Sequence, residues 1–222
     1  DTPTSARGLP NYLGATAISP DGLSAWVPSK QDNIKRGTLR NGSALDFQNT
    51  VRAISSRLDL ATLTEDSAAR IDHDNASVAS AASYDASGAY LFVALETARQ
   101  VAVLDARSGA QLMRVETGLA PQALVVSADN TRLFVHNFMG RSVQAVDITP
   151  LTQLGELRSS TLASVATVGT EKLAANVLLG KQLFYDARDT RLSRDAYMSC
   201  ASCHNDGSHD GRTWDLTAQG EG

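Results

Sequence analysis

Cysteine is almost absent from this 222-residue chain: there are two, three positions apart. A disulfide framework of the kind that staples small secreted domains is thereby excluded. Basic excess is missing as well. Twenty Lys and Arg stand against 24 Asp and Glu, a formal net charge of −4, which argues against nucleic acid as a partner because that footprint is basic. No apolar run approaches the roughly eighteen residues that read as a transmembrane segment. A signal peptide is not visible either, and Asp1 is compatible with a mature N-terminus from which one was removed. What remains is ordinary globular material, 42% hydrophobic and 20% charged, enough for a substantial core. The length allows one large domain or two small ones.

Both cysteines fall in one unit, Cys200-Ala201-Ser202-Cys203-His204. Cys-x-x-Cys-His is the attachment signature of a c-type haem. Two thiols at this spacing can each form a thioether to a haem vinyl group, and the histidine that follows becomes the proximal iron ligand. Three alternatives compete. A thioredoxin-type motif belongs near a βαβ pattern, which is not evident; a structural zinc site needs four ligands, and no second Cys/His pair has the spacing. A plain disulfide explains neither the histidine nor the lack of other cysteines. The expectation is one covalent haem c, bound by Cys200 and Cys203 and ligated by His204. Bacteria attach haem covalently in an oxidising compartment, so the motif places the protein in the periplasm, outside the cell or on its surface.

From Asn11 the chain reads as short apolar runs broken by turn residues, the texture of many β-strands. Self-comparison finds a repeat. Tyr90-Leu91-Phe92-Val93 recurs as Arg132-Leu133-Phe134-Val135, a shift of 42 (132 minus 90), and Gln100 to Asp105 recurs as Ser142 to Asp147 at the same shift. An earlier copy runs from Ala17-Ile18-Ser19-Pro20-Asp21-Gly22 through Ala25-Trp26-Val27 to Arg57-Leu58-Asp59. It carries an insertion over about Lys30–Thr50, with Lys30, Lys35, Arg36 and Arg40, which reads as a solvated loop or as a docking loop for a haem domain or redox partner. A period near 42 with four strands per unit and an Asp/Gly turn describes a β-propeller blade.

These repeats resemble the YVTN or lactonase-like propeller repeats of secreted proteins, over about residues 9–168. Leu179-Gly180-Lys181-Gln182-Leu183-Phe184-Tyr185-Asp186, then Arg191-Leu192-Ser193-Arg194-Asp195, the haem motif and Asp210-Gly211 resemble the bacterial di-haem cytochrome c peroxidase and MauG-like family, over about 170–217. That second resemblance implies a periplasmic, mostly helical haem domain that handles peroxide or electrons, with two haem motifs per chain where this one has one. The expected fold is therefore mainly β: about three propeller blades in an incomplete ring over 1–168, then a small α-helical cytochrome c-type segment over 169–222. Three blades do not close a ring, so the chain is expected to be a fragment, or to be completed by another polypeptide.

Residues 148–169 read as a linker, and Thr170 as the N-cap of a helix with Glu171 in its first turn. Leu173, Val177, Gly180 and Phe184 recur at helical spacing and are expected to pack in the haem-domain core, with Gly180 admitting a close neighbour. His209 reads as an exposed loop histidine, or as a weaker candidate for a metal or peroxide-site ligand. His73 lies between Asp72 and Asp74, which reads as a solvated turn or a raised-pKa histidine; His136 reads as structural. Met139 and Met198 are formal sixth-ligand candidates, Met139 reading better as core filler. Tyr197 and Trp214 read as packing aromatics that could also line a haem edge.

Three functions follow. The first is a peroxidase-like redox enzyme working on peroxide or a redox partner protein. The second is a monohaem electron carrier tethered to a propeller, and the third a propeller binding scaffold with haem as an accessory. The first is favoured as the family role.

Overall fold

The computed structural model describes residues 9–32 and 51–212. Three antiparallel meanders follow one another. The first contains β1 (Pro10–Asn11), β2 (Ala17–Ile18), β3 (Ser24–Asp32), β4 (Val51–Asp59) and β5 (Thr64–His73). Here β1 and β2 both pair with β3, as two pieces of one interrupted inner strand. The second is β6 (Ala79–Tyr84), β7 (Tyr90–Leu95), β8 (Gln100–Asp105) and β9 (Gln111–Glu116). The third is β10 (Pro121–Val126), β11 (Arg132–Asn137), β12 (Ser142–Asp147) and β13 (Ser160–Ala166). Each sheet has its strands in sequence order, and the inner strand β6 packs against β2 and β3 on one side and β10 on the other. These are three successive propeller blades.

The 42-residue shift holds at three strands of four: β6 to β10 (79 to 121), β7 to β11 (90 to 132) and β8 to β12 (100 to 142). The fourth departs, at 111 and 160, a shift of 49. A helix, α1 (Thr149–Leu154), fills the difference, with Pro150 in its first turn and Gly155 at φ 68° ending it. Residues 148–169 are thus not a linker. They hold this helix, whose Leu151 is buried between blades, and the outer strand of the third blade.

Turn chemistry is repeated as faithfully as strand register. Ser19 and Asp21 in the first blade, and Ser127 and Asp129 in the third, make the same bonds: the backbone N–H groups of Leu23 and Thr131 each donate to the aspartate at 3.0 Å. The next N–H, of Ser24 or Arg132, donates to the serine hydroxyl. The Ser127 and Thr131 hydroxyls, donating to Asp129 together with the Thr131 N–H, hold its carboxyl down to about 2. The left-handed residue of each turn is Gly22, Gly88 or Asn130, the residue types that accept positive φ at least cost. Gly14 answers a different need, since a Cβ there would lie 2.2 Å from the Ser80 carbonyl oxygen where the inner strands of two blades meet.

The middle blade is buried on both faces: β7 and β8 are nearly continuous runs of buried residues. In the third blade burial alternates along β11 and β12, and β13 is exposed throughout. Val125, Leu162 and Val165 point outward from it, so among the described residues one apolar blade face has no neighbour.

The first blade overturns two sequence readings. Lys30 is not in a solvated loop. It lies inside β3, paired with Ala53, and is 1% exposed; Lys35, Arg36 and Arg40 fall outside the described residues. His73 is not in a solvated turn either. It ends β5 fully buried, with its Nε2 2.8 Å from Ser55 Oγ, and burial beside Arg114 and Arg52 pushes its pKa down to about 3. Its flanking aspartates are turned to Arg52, at 2.6 Å and 2.9 Å.

A candidate haem-attachment site

The chain leaves β13 and forms α2 (Ala175–Phe184), which starts after Ala174 and not after Thr170. Glu171 lies outside it, accepting from the Leu173 N–H at 2.9 Å and pairing with Arg141 at 3.2 Å. No residue of α2 is buried. Val177 is 49% exposed and no heavy atom lies within 4 Å of a Cβ placed on Gly180, so the expected apolar core face is an open one here. Only the last turn of α2 packs.

Beyond it an irregular run crosses the end of the blades and is tied down by several polar contacts. Asp186 is buried and pairs with Arg99, and the Ala187 N–H donates to the Thr97 carbonyl at 3.0 Å. Arg99 and Arg141 are 42 residues apart, both at positive φ, and grip Asp186 and Glu171 respectively. Gln182 donates to the Met139 carbonyl at 3.0 Å, and Arg188 pairs with Glu116. Ala120, Met139, Tyr185 and Ala201 close into a small apolar cluster between blades and segment, which is where Met139 sits, as core filler. Val51, Tyr197 and Met198 form a second, against Cys203.

Cys200 to Ser202 form a 3-10 turn, and His204 follows it. Neither cysteine is in a disulfide: Cys200 is exposed and Cys203 half-buried, its thiol pushed up to about 11 chiefly by burial. Cys200, Cys203, His204, Met198, Leu183 and Leu192 line one cavity of about 250 Å³. The far side of the last turn of α2 borders a second, of about 510 Å³, between Phe138, Gly180, Phe184 and Tyr185.

The two histidines of the segment are prepared differently. His204 Nδ1 lies 3.0 Å from the Ser208 carbonyl, which can only accept, so Nδ1 carries the proton and Nε2 presents a lone pair. His209 Nδ1 receives the Gly211 N–H at 2.6 Å, so Nδ1 is the acceptor and the neutral ring's proton sits on Nε2. The rings lie 6.1 Å apart, both exposed. A soft thiol pair, an imidazole with a free Nε2 and an apolar wall on one cavity fit a c-type haem, whereas among the described residues no cluster of three His, Cys, Asp or Glu could hold a bare metal ion. His136 stacks edge-on against Phe138 at 6.4 Å, and Trp214 lies outside the described residues.

Residues that sequence reading passed over surround this site. Ser77 Oγ lies 2.7 Å from Ser202 Oγ and 2.8 Å from Thr97 Oγ1. Tyr12 donates to Asp206 at 3.1 Å, and with Glu96 and Gln122 these two line a cavity of about 390 Å³. Glu96 is 2% exposed and its pKa rises to about 7, mainly through burial and then through Asp206, against the lowering effect of the Gln122 hydrogen bond. A carboxyl held above its ordinary value stabilises the fold fully below about pH 4.5 and loses that contribution as pH rises through 7. Glu96→Gln should therefore flatten the fall in stability between pH 5 and 8, by roughly 2–3 kcal/mol. Denaturant melts of the two proteins across that range check it; parallel curves would refute it.

Fold and site together define propeller blades joined to a haem-protein segment. Residues 174–221 match the family model of the di-haem cytochrome c peroxidases. No curated protein matches the chain by sequence. Among solved structures it is similar to hydrazine synthase of Kuenenia stuttgartiensis, at 16% identity and TM-score 0.50 over 62% of this chain and 46% of that one. The RRP9 WD40 repeats (14%, TM-score 0.50, 75% of this chain and 43% of that one) and U3-55K (14%, 0.50, 72% and 41%) are similar to the same degree. These likenesses concern the propeller fold. The chain spans less than half the length of each of the three.

Proposed function

We propose that this chain is part of a periplasmic or cell-surface redox protein of the di-haem peroxidase and MauG-like kind, with one covalent haem c held by Cys200 and Cys203. The observation that carries the reading is the single cavity shared by both thiols and by a His204 whose Nδ1–H bond to Ser208 leaves Nε2 for iron. The match of residues 174–221 to the family supports it, and that no described helix is long and apolar enough to cross a membrane is compatible with it.

Haem bound there would supply redox chemistry with electrons or peroxide. The chain's own residues do the rest. Cys200 and Cys203 would hold the haem covalently, and His204 would offer it an imidazole in a fixed tautomer. Leu183, Leu192 and Met198 give that cavity an apolar wall. Arg99, Arg141 and Lys30 fix the segment to the blades. The partner is peroxide together with a protein that gives or takes electrons. His209 is a second candidate ligand, at the cost of its bond from Gly211.

The test is the full-length protein matured in a host with cytochrome c assembly machinery. Denatured on a gel it should keep haem stain and a haem-sized mass increment, lose both in Cys200→Ala/Cys203→Ala, and oxidise a reduced donor with peroxide. Matured protein without the increment refutes the haem reading, and haem without turnover refutes the peroxidase role.

A further inference from the structure

Strand β3 has nine residues where its counterparts β7 and β11 have six, and the three extra, Lys30 to Asp32, run beneath the haem-attachment turn. There the Lys30 ammonium is buried. It donates to the Ser202 carbonyl at 2.7 Å and pairs with Asp32 at 3.2 Å; Asp32 is itself 3.4 Å from Arg212. Ser202 lies between the two cysteines, so the propeller holds the attachment turn from within. Burying an ammonium is costly even when it is paired, and a lysine so placed is poor material for mere adhesion between two parts of a chain. Here Lys30 and Arg212 share one carboxylate, Asp32, and at Cys203 the Lys30 charge acts against those of Asp32 and Asp210.

We propose that Lys30 is a positioning residue through which the propeller sets the reduction potential of the haem at Cys200, Cys203 and His204, an inference that rests on the haem reading above. A fixed positive charge in a poorly solvated setting opposes the extra charge of ferric iron and so favours the ferrous state. Asp32 moderates it, and Ser77, bonded to the Ser202 hydroxyl, keeps the turn in register without adding charge.

The experiment is redox titration of full-length, haem-loaded variants, each first checked for haem stain. Lys30→Met should lower the midpoint potential and Lys30→Arg should restore it. Asp32→Asn, nearly isosteric, should raise it. Ser77→Ala should lower thermal stability and leave the potential where it was. Opposite shifts for Lys30→Met and Asp32→Asn support the proposal; no shift, shifts of one sign, or an equal shift in Ser77→Ala overturn it. Should Lys30→Met fail to fold, the sign for Asp32→Asn decides alone. Unsubstituted protein that lacks covalent haem defeats the haem reading instead, so the two failures are told apart.

Discussion

His204→Ala should keep its haem on a denaturing gel and lose the spectrum of the native protein. The two effects separate because different residues hold the ring and the iron. On the proposed reading Cys200 and Cys203 would provide the covalent link, and neither depends on the imidazole. The iron would depend on Nε2 of a ring that the Ser208 carbonyl orients, at 3.0 Å from Nδ1. Losing such a ligand removes both the axial bond and its oriented donor, and the midpoint potential should move by more than any change in the surrounding charges produces. Ferric and ferrous absorption spectra check this, with added imidazole expected to restore part of the native bands. If the spectra match those of the unsubstituted protein, His204 is not the proximal ligand, and His209, 6.1 Å away ring to ring, becomes the residue to test.

Phe92 and Phe134 occupy the same place in successive blades, 42 residues apart, yet their truncation should cost very different amounts. Phe92 is 0% exposed and packed with Val101, Val103, Leu133, Val135 and Ile148 in the core between the second and third blades. Deleting its ring leaves a cavity that rigid strands on both sides cannot collapse, and Phe92→Ala should cost about 3–5 kcal/mol. Phe134 is only half-buried, because among the described residues no blade covers its face. Phe134→Ala should cost about 1–2 kcal/mol, in line with the smaller apolar area it removes from water. Equilibrium denaturation of the two variants gives the difference directly. In a polypeptide that supplies the next blade, the cost at Phe134 should rise toward that at Phe92; equal costs in the present chain would mean its third blade is already covered.

Much of the fold is legible in the chain because blades are local. A strand of six residues, an Asp-containing turn and another strand of six repeat at fixed distance, and the bonds of Ser127 and Asp129 to Thr131 and Arg132 span five residues at most. Where a helix interrupts that regularity, sequence reading failed: α1 occupies only six residues, too few to show a period, and so the fourth strand of the third blade passed for a linker. The start of α2 was misplaced for a related reason. Glu171 has the look of a first-turn acid, but its carboxylate is taken by Arg141 and the Leu173 N–H, and the helix begins beyond it.

By itself, the sequence determined which residues carry the candidate attachment motif. Two thiols and an imidazole within five residues are brought together by a single turn, whatever surrounds them. It determined the blade register for the same reason, since alternation and turn bonds act between near neighbours. The tertiary structure alone decided what those local units lean on. Lys30 meets Ser202 across 172 positions, Ser77 meets it across 125, and Arg99 meets Asp186 across 87. It also decided that His73 is a buried neutral ring and that Glu96 holds its proton near neutral pH. Burial and charge pairing depend on which distant segments the folded chain brings into contact, and no spacing within one segment carries that information.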